Sequence, residues 1–574
     1  MADDLTQADE NEPNADANVG LLAVLAGLSI CVYGIIATLS WQFDFDSVTT
    51  DRPIILVLCL FAVVFAFYLG AIRIAWRTRQ GGQMMKLVIG SAIVFRIVML
   101  FSLPIQEVDI YRYLWDGAVS TAGVSPFRYS PEQVSSADLA SGADEDLVRL
   151  VKMRDDNPAL AEILNRVHFP ELPTIYPPTS QAVFAAANLT TPSSSSVLTR
   201  MFIMKAWFIG FDIATLFVVI GLLGRCAKPV GLCVIYAWCP LLMKEVANSG
   251  HLDAVAVFAT TLAVYLVVRS LGFQPGNKDT QARSLGYATL TGLTLALAVG
   301  AKLYPVILVP VFLLALARKV GRRLMPIPIA VFSVVVAILL WPMIEGKNNV
   351  ADDQVSSDPS LGVVTFLRRW EMNDFLFLLV VENLKPNAQR GTHEIAWFTI
   401  VPDSTREAVV RSASSSLKVP PAESPFLVTR VMTAIAFVMV AILLAWRASP
   451  ADNRQVVEAA FLTIAWFWLL CPTLNPWYWT WALPLLPFAR GRVWLVMSGL
   501  AFLYYLRFWL SYHFENAAVL GTPYTGAAFY DFVVTWIEFA PWFIALIAGV
   551  VFRLQKSSWF DMPHFNSEDT LQTF

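Results

Sequence analysis

Residues 21–41, LLAVLAGLSICVYGIIATLSW, run without one charged side chain, and stretches like them recur along the whole chain. About 20 mostly apolar residues make a helix long enough to cross the hydrocarbon of a bilayer. In lipid the backbone must also satisfy its own hydrogen bonds. Together these constraints point to an all-α polytopic membrane protein. Composition agrees: 56% of the 574 residues are apolar and 15% are charged, with a mean hydropathy of +0.58. A soluble domain carries roughly a quarter charged residues. The net charge of −3 offers no basic surface for nucleic acid. The six cysteines fall mostly inside apolar runs and read as small buried hydrophobes, not as a disulfide framework or a metal site.

About 14 spans are expected, at 20–40, 53–75, 86–103, 198–222, 229–243, 252–271, 286–301, 303–317, 326–343, 426–446, 456–471, 477–489, 493–510 and 533–553. The fifth, eighth and twelfth are short, as broken or tilted helices would be. Two long polar connections remain, 104–197 and 344–425. Residues 1–18 are acidic and polar and read as a disordered tail. They lack the basic start of a signal peptide, so the first apolar run is expected to stay as a span. Residues 19–555 then form one transmembrane domain and 556–574 a C-terminal tail.

Lysine and arginine in the short connections set orientation. Arg73, Arg77, Arg79 and Lys86 follow the second span, and Arg318, Lys319, Arg322 and Arg323 follow the eighth. Pairs such as Arg225 with Lys228 and Arg490 with Arg492 follow other even-numbered spans, while the intervening short connections carry one basic residue or none. This alternation assigns both termini to the cytoplasm and both long connections to the outer side.

QEVDIYRYLWDG, residues 106–117, opens the first of those outer connections. On a helix, Asp109, Arg112 or Tyr113, and Asp116 share one face. A helix lying along the bilayer surface and presenting carboxylates to a cavity fits that pattern. A solvated helix end whose acids face only water fits it too. Further polar groups fall at the same depth: Lys244, Glu245, His251 and Asp253; Lys302 and Tyr304; Asn475, Trp477 and Tyr478; Arg507 and His513. Each alone reads as a cap or an interfacial anchor, and together they describe a cavity. A carboxylate there can take a proton from an acceptor hydroxyl. Lysine and arginine can stabilise a departing phosphate, and flat aromatic faces suit sugar rings and isoprenoid. An outer site has no access to cytoplasmic nucleotide sugars, so a lipid-carried donor is the natural supply. No cofactor is called for, and His251 with Asp253 makes a poor metal pair.

The chain resembles the GT-C superfamily of polytopic glycosyltransferases that use polyprenyl-phosphate sugars, and within it the bacterial polyprenol-phosphomannose-dependent mannosyltransferase-like group. The resemblance rests on VDIYRYLWDG (108–117), GVSPFRYSPE (123–132), IYPPTSQAVFA (175–185), GHLDAVAVF (250–258), AKLYPVILVP (301–310) and NPWYWTWALPLLP (475–487). It implies Asp109 as catalytic base and transfer of a hexose, mannose favoured, to an extracytoplasmic glycan or glycolipid with inversion. The superfamily's paired acids are split here as Glu107–Val108–Asp109, so Glu107 and Asp116 are candidates for a second acid. Lipid-phosphate contacts are implied at Lys302, Arg112, Arg368, Arg369 and Arg507. Contacts to sugar or acceptor are expected from Tyr113, His251, Asp253, Tyr304, Asn475, Trp477 and Tyr478. A bacterial cytoplasmic membrane is the implied location. The competing class is a secondary transporter or lipid flippase, whose polar groups would gather at the bilayer midplane in repeated halves; no internal repeat is present.

Overall fold

The computed structural model describes residues 12–78, 81–137, 144–273, 278–345, 371–391 and 395–551. All named elements among them are helical, with one isolated β-bridge between Met372 and Thr473. The main helices are α1 (Glu12–Leu39), α2 (Ile54–Arg77), α3 (Gly82–Leu100), α4 (Asp109–Thr121), α5 (Pro178–Leu189) and α6 (Val197–Arg225). They continue with α7 (Asp253–Leu271), α8 (Lys278–Ala301), α9 (Pro326–Leu340), α10 (Ser424–Arg447), α11 (Asn453–Leu470) and α12 (Thr535–Val551). α1 already begins at Glu12, inside the segment expected as a tail. Residues 556–574 lie outside the described residues.

Among the described residues, ten helices are long and apolar enough to cross a membrane. An eleventh crossing forms if Val230–Ala237 and Pro240–Asn248, bent by 44°, are one span. The other three expected spans differ for local reasons. Prolines 305 and 310 break 303–317 into a 3-10 turn, Tyr304–Leu308, and a helix, Val309–Val320. That helix has 12 residues, a rise of about 18 Å, too short to cross alone. Prolines 484 and 487 likewise leave 477–489 as the short turns Pro476–Trp479 and Leu483–Phe488. α11 is helical but begins Asn-Arg-Gln, which shortens its apolar length.

α7 forms the centre, packed between α6 and α8. α9 and α10 face outward, and α10 displays Val431, Met432, Ile435 and Val438, each more than half exposed. Such an apolar outer surface suits lipid and would be a liability in water.

Candidate active site

Beyond the end of α3, residues 102–106 are strapped from two sides. Lys205 Nζ donates to the carbonyls of Met99 and Ser102, at 3.2 and 2.7 Å. A cation at the carbonyl end of a helix is favourable. Asn248, which ends the π-helix Met243–Asn248, accepts from the Ile105 amide at 3.0 Å and donates to the Leu103 carbonyl at 2.6 Å. Gln106 then adopts a left-handed φ of 61°, held by Arg52, whose guanidinium donates to its side-chain oxygen at 2.8 Å. Such a conformation costs about 1–3 kcal/mol in a residue with a side chain and persists where surroundings enforce it. Asp109 starts α4, where the helix dipole favours a carboxylate.

Two glycines of the sequence motifs close the packing. A Cβ on Gly117 would lie 2.5 Å from the Phe184 carbonyl oxygen, so α4 rests directly on the backbone of α5. Gly250 has φ +68°, and a Cβ there would sit 2.8 Å from Ile110 Cδ1. Only glycine lets the turn before His251 meet α4.

α4 is enclosed instead of lying along a surface: every residue from Ile110 to Val119 is buried. Its expected polar face is therefore divided among separate partners. Asp109 lines a cavity of about 730 Å³. Arg112 borders the same cavity but donates to the carbonyls of His168, Phe169 and Leu172, at 2.8–3.1 Å, and so fastens the connection between α4 and α5 over the helix. Asp116 is not on the cavity wall; it accepts from Gln181 at 3.1 Å. Burial raises its carboxyl above the usual range, against the opposing charge of Arg112.

Within the cavity, Asp109 Oδ2 accepts long hydrogen bonds from the phenols of Tyr113 and Tyr176, at 3.5 and 3.4 Å. Burial pushes both phenols well above their ordinary value, so they stay protonated as donors. Burial also lowers His168, on the same wall, which favours neutral imidazole despite the nearby Asp109 charge. Lys302 projects from the end of α8 and contacts Asp253 Oδ1 at 2.6 Å. Its ammonium stands over the rings of Tyr478 and Trp481, at 4.5 and 5.3 Å. Tyr478, Trp481 and Tyr304 form a stacked slab with centroid spacings of 4.4 and 4.0 Å. The Trp481 indole also donates to Asp253. Asn475 lines the cavity with its buried Oδ1 unpartnered.

A second layer lies behind this wall. His251 stacks on Trp477 at 4.4 Å, with its Nε2 3.3 Å from Glu245 Oε2. Tyr505 donates to Glu245 at 2.6 Å and accepts from Lys244 at 3.0 Å. His251 and Asp253 thus support wall residues and do not themselves line the cavity, contrary to the sequence expectation. Glu107 does line it, with Oε1 enclosed and unpartnered. Burial raises its carboxyl well above the usual range, opposed by Lys244 and reinforced by Glu245 and Asp109. Arg507 is away from the wall and pairs with Asp531 at 3.3 Å. Arg368 and Arg369 lie outside the described residues.

Tyr176 and Trp481 fall inside recognised motifs but were not expected at the site, because their neighbours carried the more obvious chemistry. His168 gives no local signal in the sequence. Arg430 also lines the cavity. An arginine two turns into an apolar span is itself a functional signal, but a count confined to connecting segments passes over it.

A sequence model of the family described as "Alpha-(1->6)-mannopyranosyltransferase, N-terminal domain" matches residues 21–318. No curated protein and no solved structure matches the chain.

Proposed function

The chain belongs to the alpha-(1->6)-mannopyranosyltransferase family and is a membrane mannosyltransferase; on that footing we propose that it takes mannose from a polyprenyl-phosphate carrier and passes it, outside the cytoplasm, to a glycan or glycolipid by inverting single displacement. The observation that carries this reading is the cavity itself: a carboxylate held by two phenols opens onto the same space as a lysine seated on an aromatic slab. The linkage in the family description supports the primary 6-hydroxyl of an acceptor sugar as the nucleophile.

Asp109 takes the proton from that hydroxyl as its oxygen attacks the anomeric carbon. The bond between that carbon and the phosphate oxygen breaks, and the electron pair leaves with the polyprenyl phosphate. Both phenol bonds fall on Asp109 Oδ2, leaving Oδ1 for the acceptor. Lys302 meets the charge developing on the leaving group, and Asp253 fixes where that ammonium stands. Asn475 Oδ1 can accept from a sugar hydroxyl, and the Tyr478–Trp481 faces support the ring. Glu107, neutral when buried, can donate to the substrate in place of acting as a second base. Arg73 and Arg77 near the end of α2 and Arg225 at the end of α6 lie at the opposite ends of the neighbouring spans from Asp109, and this positive-inside pattern supports an outer active site.

The test supplies purified protein with mannose-labelled polyprenyl phosphate or with a nucleotide-linked mannose, together with membrane glycolipid acceptors. Transfer from the lipid-linked donor alone is expected. Transfer from the nucleotide sugar alone would refute the donor assignment.

A further inference from the structure

We propose that Arg430 captures the phosphate of a lipid-linked ligand entering sideways from the bilayer, while the apolar wall beside it receives the isoprenoid chain. This rests on the lipid-carried donor reading above. Arg430 sits on α10 beside Val431 and Met432, which are 53% and 51% exposed on the outer surface, yet Arg430 itself borders the cavity. Its NH1 is buried without a hydrogen-bond partner, and among the described residues the guanidinium makes no ion pair. The guanidinium lies 5.9 Å from the Phe426 ring. Arginine cannot shed its proton, so an uncompensated guanidinium in an apolar span is costly unless an anion completes it.

The other cations on the wall are engaged. Lys302 holds Asp253, Arg112 holds three carbonyls, and Arg52 holds Gln106, Ser47 and the Asp44 carbonyl. The donor is a phosphodiester with one negative charge, and the polyprenyl phosphate it becomes on transfer is a monoester that carries close to two at neutral pH. The Lys302 charge is already shared with Asp253, so the wall without Arg430 leaves that anion under-compensated. A guanidinium fork matches two phosphate oxygens.

The neighbouring wall favours a lipid as the source of the phosphate. Leu303 and Val306 line the cavity and are 42% and 47% exposed. The turn Tyr304–Leu308 packs against α11, and helix Val309–Val320 packs against α10, so these residues share one side of the bundle with Arg430. Phe467 of α11 extends the apolar lining.

The test measures binding of a short-chain polyprenyl phosphate, the matching polyprenol and inorganic phosphate to the full-length protein in nanodiscs. The wild type is expected to prefer polyprenyl phosphate over both others. Arg430→Gln should weaken that binding by about 10- to 100-fold, the range of a charge-assisted hydrogen bond, and Arg430→Lys should restore part of it. The ligand-free thermal midpoint of Arg430→Gln should not fall, since no bond is removed. Unchanged binding in the variant, or a lowered ligand-free midpoint, would overturn the role of Arg430 and leave the donor reading standing. Equal binding of polyprenol would overturn both. Inorganic phosphate binding as tightly as the lipid would overturn the sideways entry of a lipid.

Discussion

Arg96 and Asp212 form an ion pair 2.5 Å apart inside the bundle, and Lys302 and Asp253 form another, 2.6 Å apart, at the cavity. The first is closed. Arg96 also donates to the carbonyls of Ala92 and Ala237, and Tyr236 donates to the second oxygen of Asp212. Both side chains are essentially inaccessible. The second is open. Lys302 keeps 17% of its side chain exposed, and Asp253 Oδ2 is buried without a partner. A buried pair with both carboxylate oxygens filled and only Arg96 NH2 unpartnered, sealed inside the bundle, can hold helices α3 and α6 together but offers a substrate no access. A pair with capacity left, seated on an aromatic slab beside a carboxylate, can bind one. A transporter would need the spare capacity deep in the bundle; here it lies at the cavity.

Removing one partner from each pair should separate the two roles. Arg96→Leu strands a buried carboxylate and should cost about 3–5 kcal/mol of stability. Thermal unfolding should show that loss, while transfer per folded molecule stays near wild type. A large fall in the rate of the folded fraction would place Arg96 in the reaction. Lys302→Met should lower kcat by about 10²–10³-fold, as loss of one group stabilising developing charge does. Its stability loss should be smaller than that of Arg96→Leu, because Trp481 still donates to Asp253. The reverse ranking would mean that the open pair is structural.

A smaller effect concerns Glu107, whose carboxyl burial raises well above the usual range. Well below the ordinary glutamate value, folded and unfolded chains both hold the proton, and wild type and Glu107→Gln should differ little in pH response. Above that value the unfolded chain releases its proton while the folded chain keeps it, which favours unfolding. Wild type should therefore lose stability relative to Glu107→Gln as pH rises from the ordinary range toward the raised folded value. Parallel thermal midpoints across that window would contradict an enclosed neutral acid.

Much of this was legible in the sequence because membrane helices announce themselves through length and hydropathy, and because Asp109, Lys302 and Tyr478 belong to short motifs. The helical face of 109–116 was less informative. Periodicity says which residues share a side, but here Arg112 and Asp116 find partners 56–65 positions away, in the connection after α4 and in α5. The spans broken by Pro305, Pro484 and Pro487 already read as short, as broken or tilted helices would be, but hydropathy ignores backbone geometry and does not say whether such runs cross. The support given by His251 and Asp253 was visible only as proximity to the site. Whether such groups touch substrate or hold the residues that do depends on packing between α7, α8 and the 475–481 turn.

Asp109 and Asp116 stand two turns apart on one helix, and transfer by Asp109→Asn and Asp116→Asn, measured side by side with a lipid-linked mannose donor, tests the central assignment most directly. Loss of a general base predicts a fall of about 10²–10⁴-fold for Asp109→Asn with an unchanged thermal midpoint. Asp116→Asn, whose Gln181 contact an amide oxygen can still accept, should stay within about threefold of wild type. Full transfer by Asp109→Asn, or an equal collapse of both, would contradict the account.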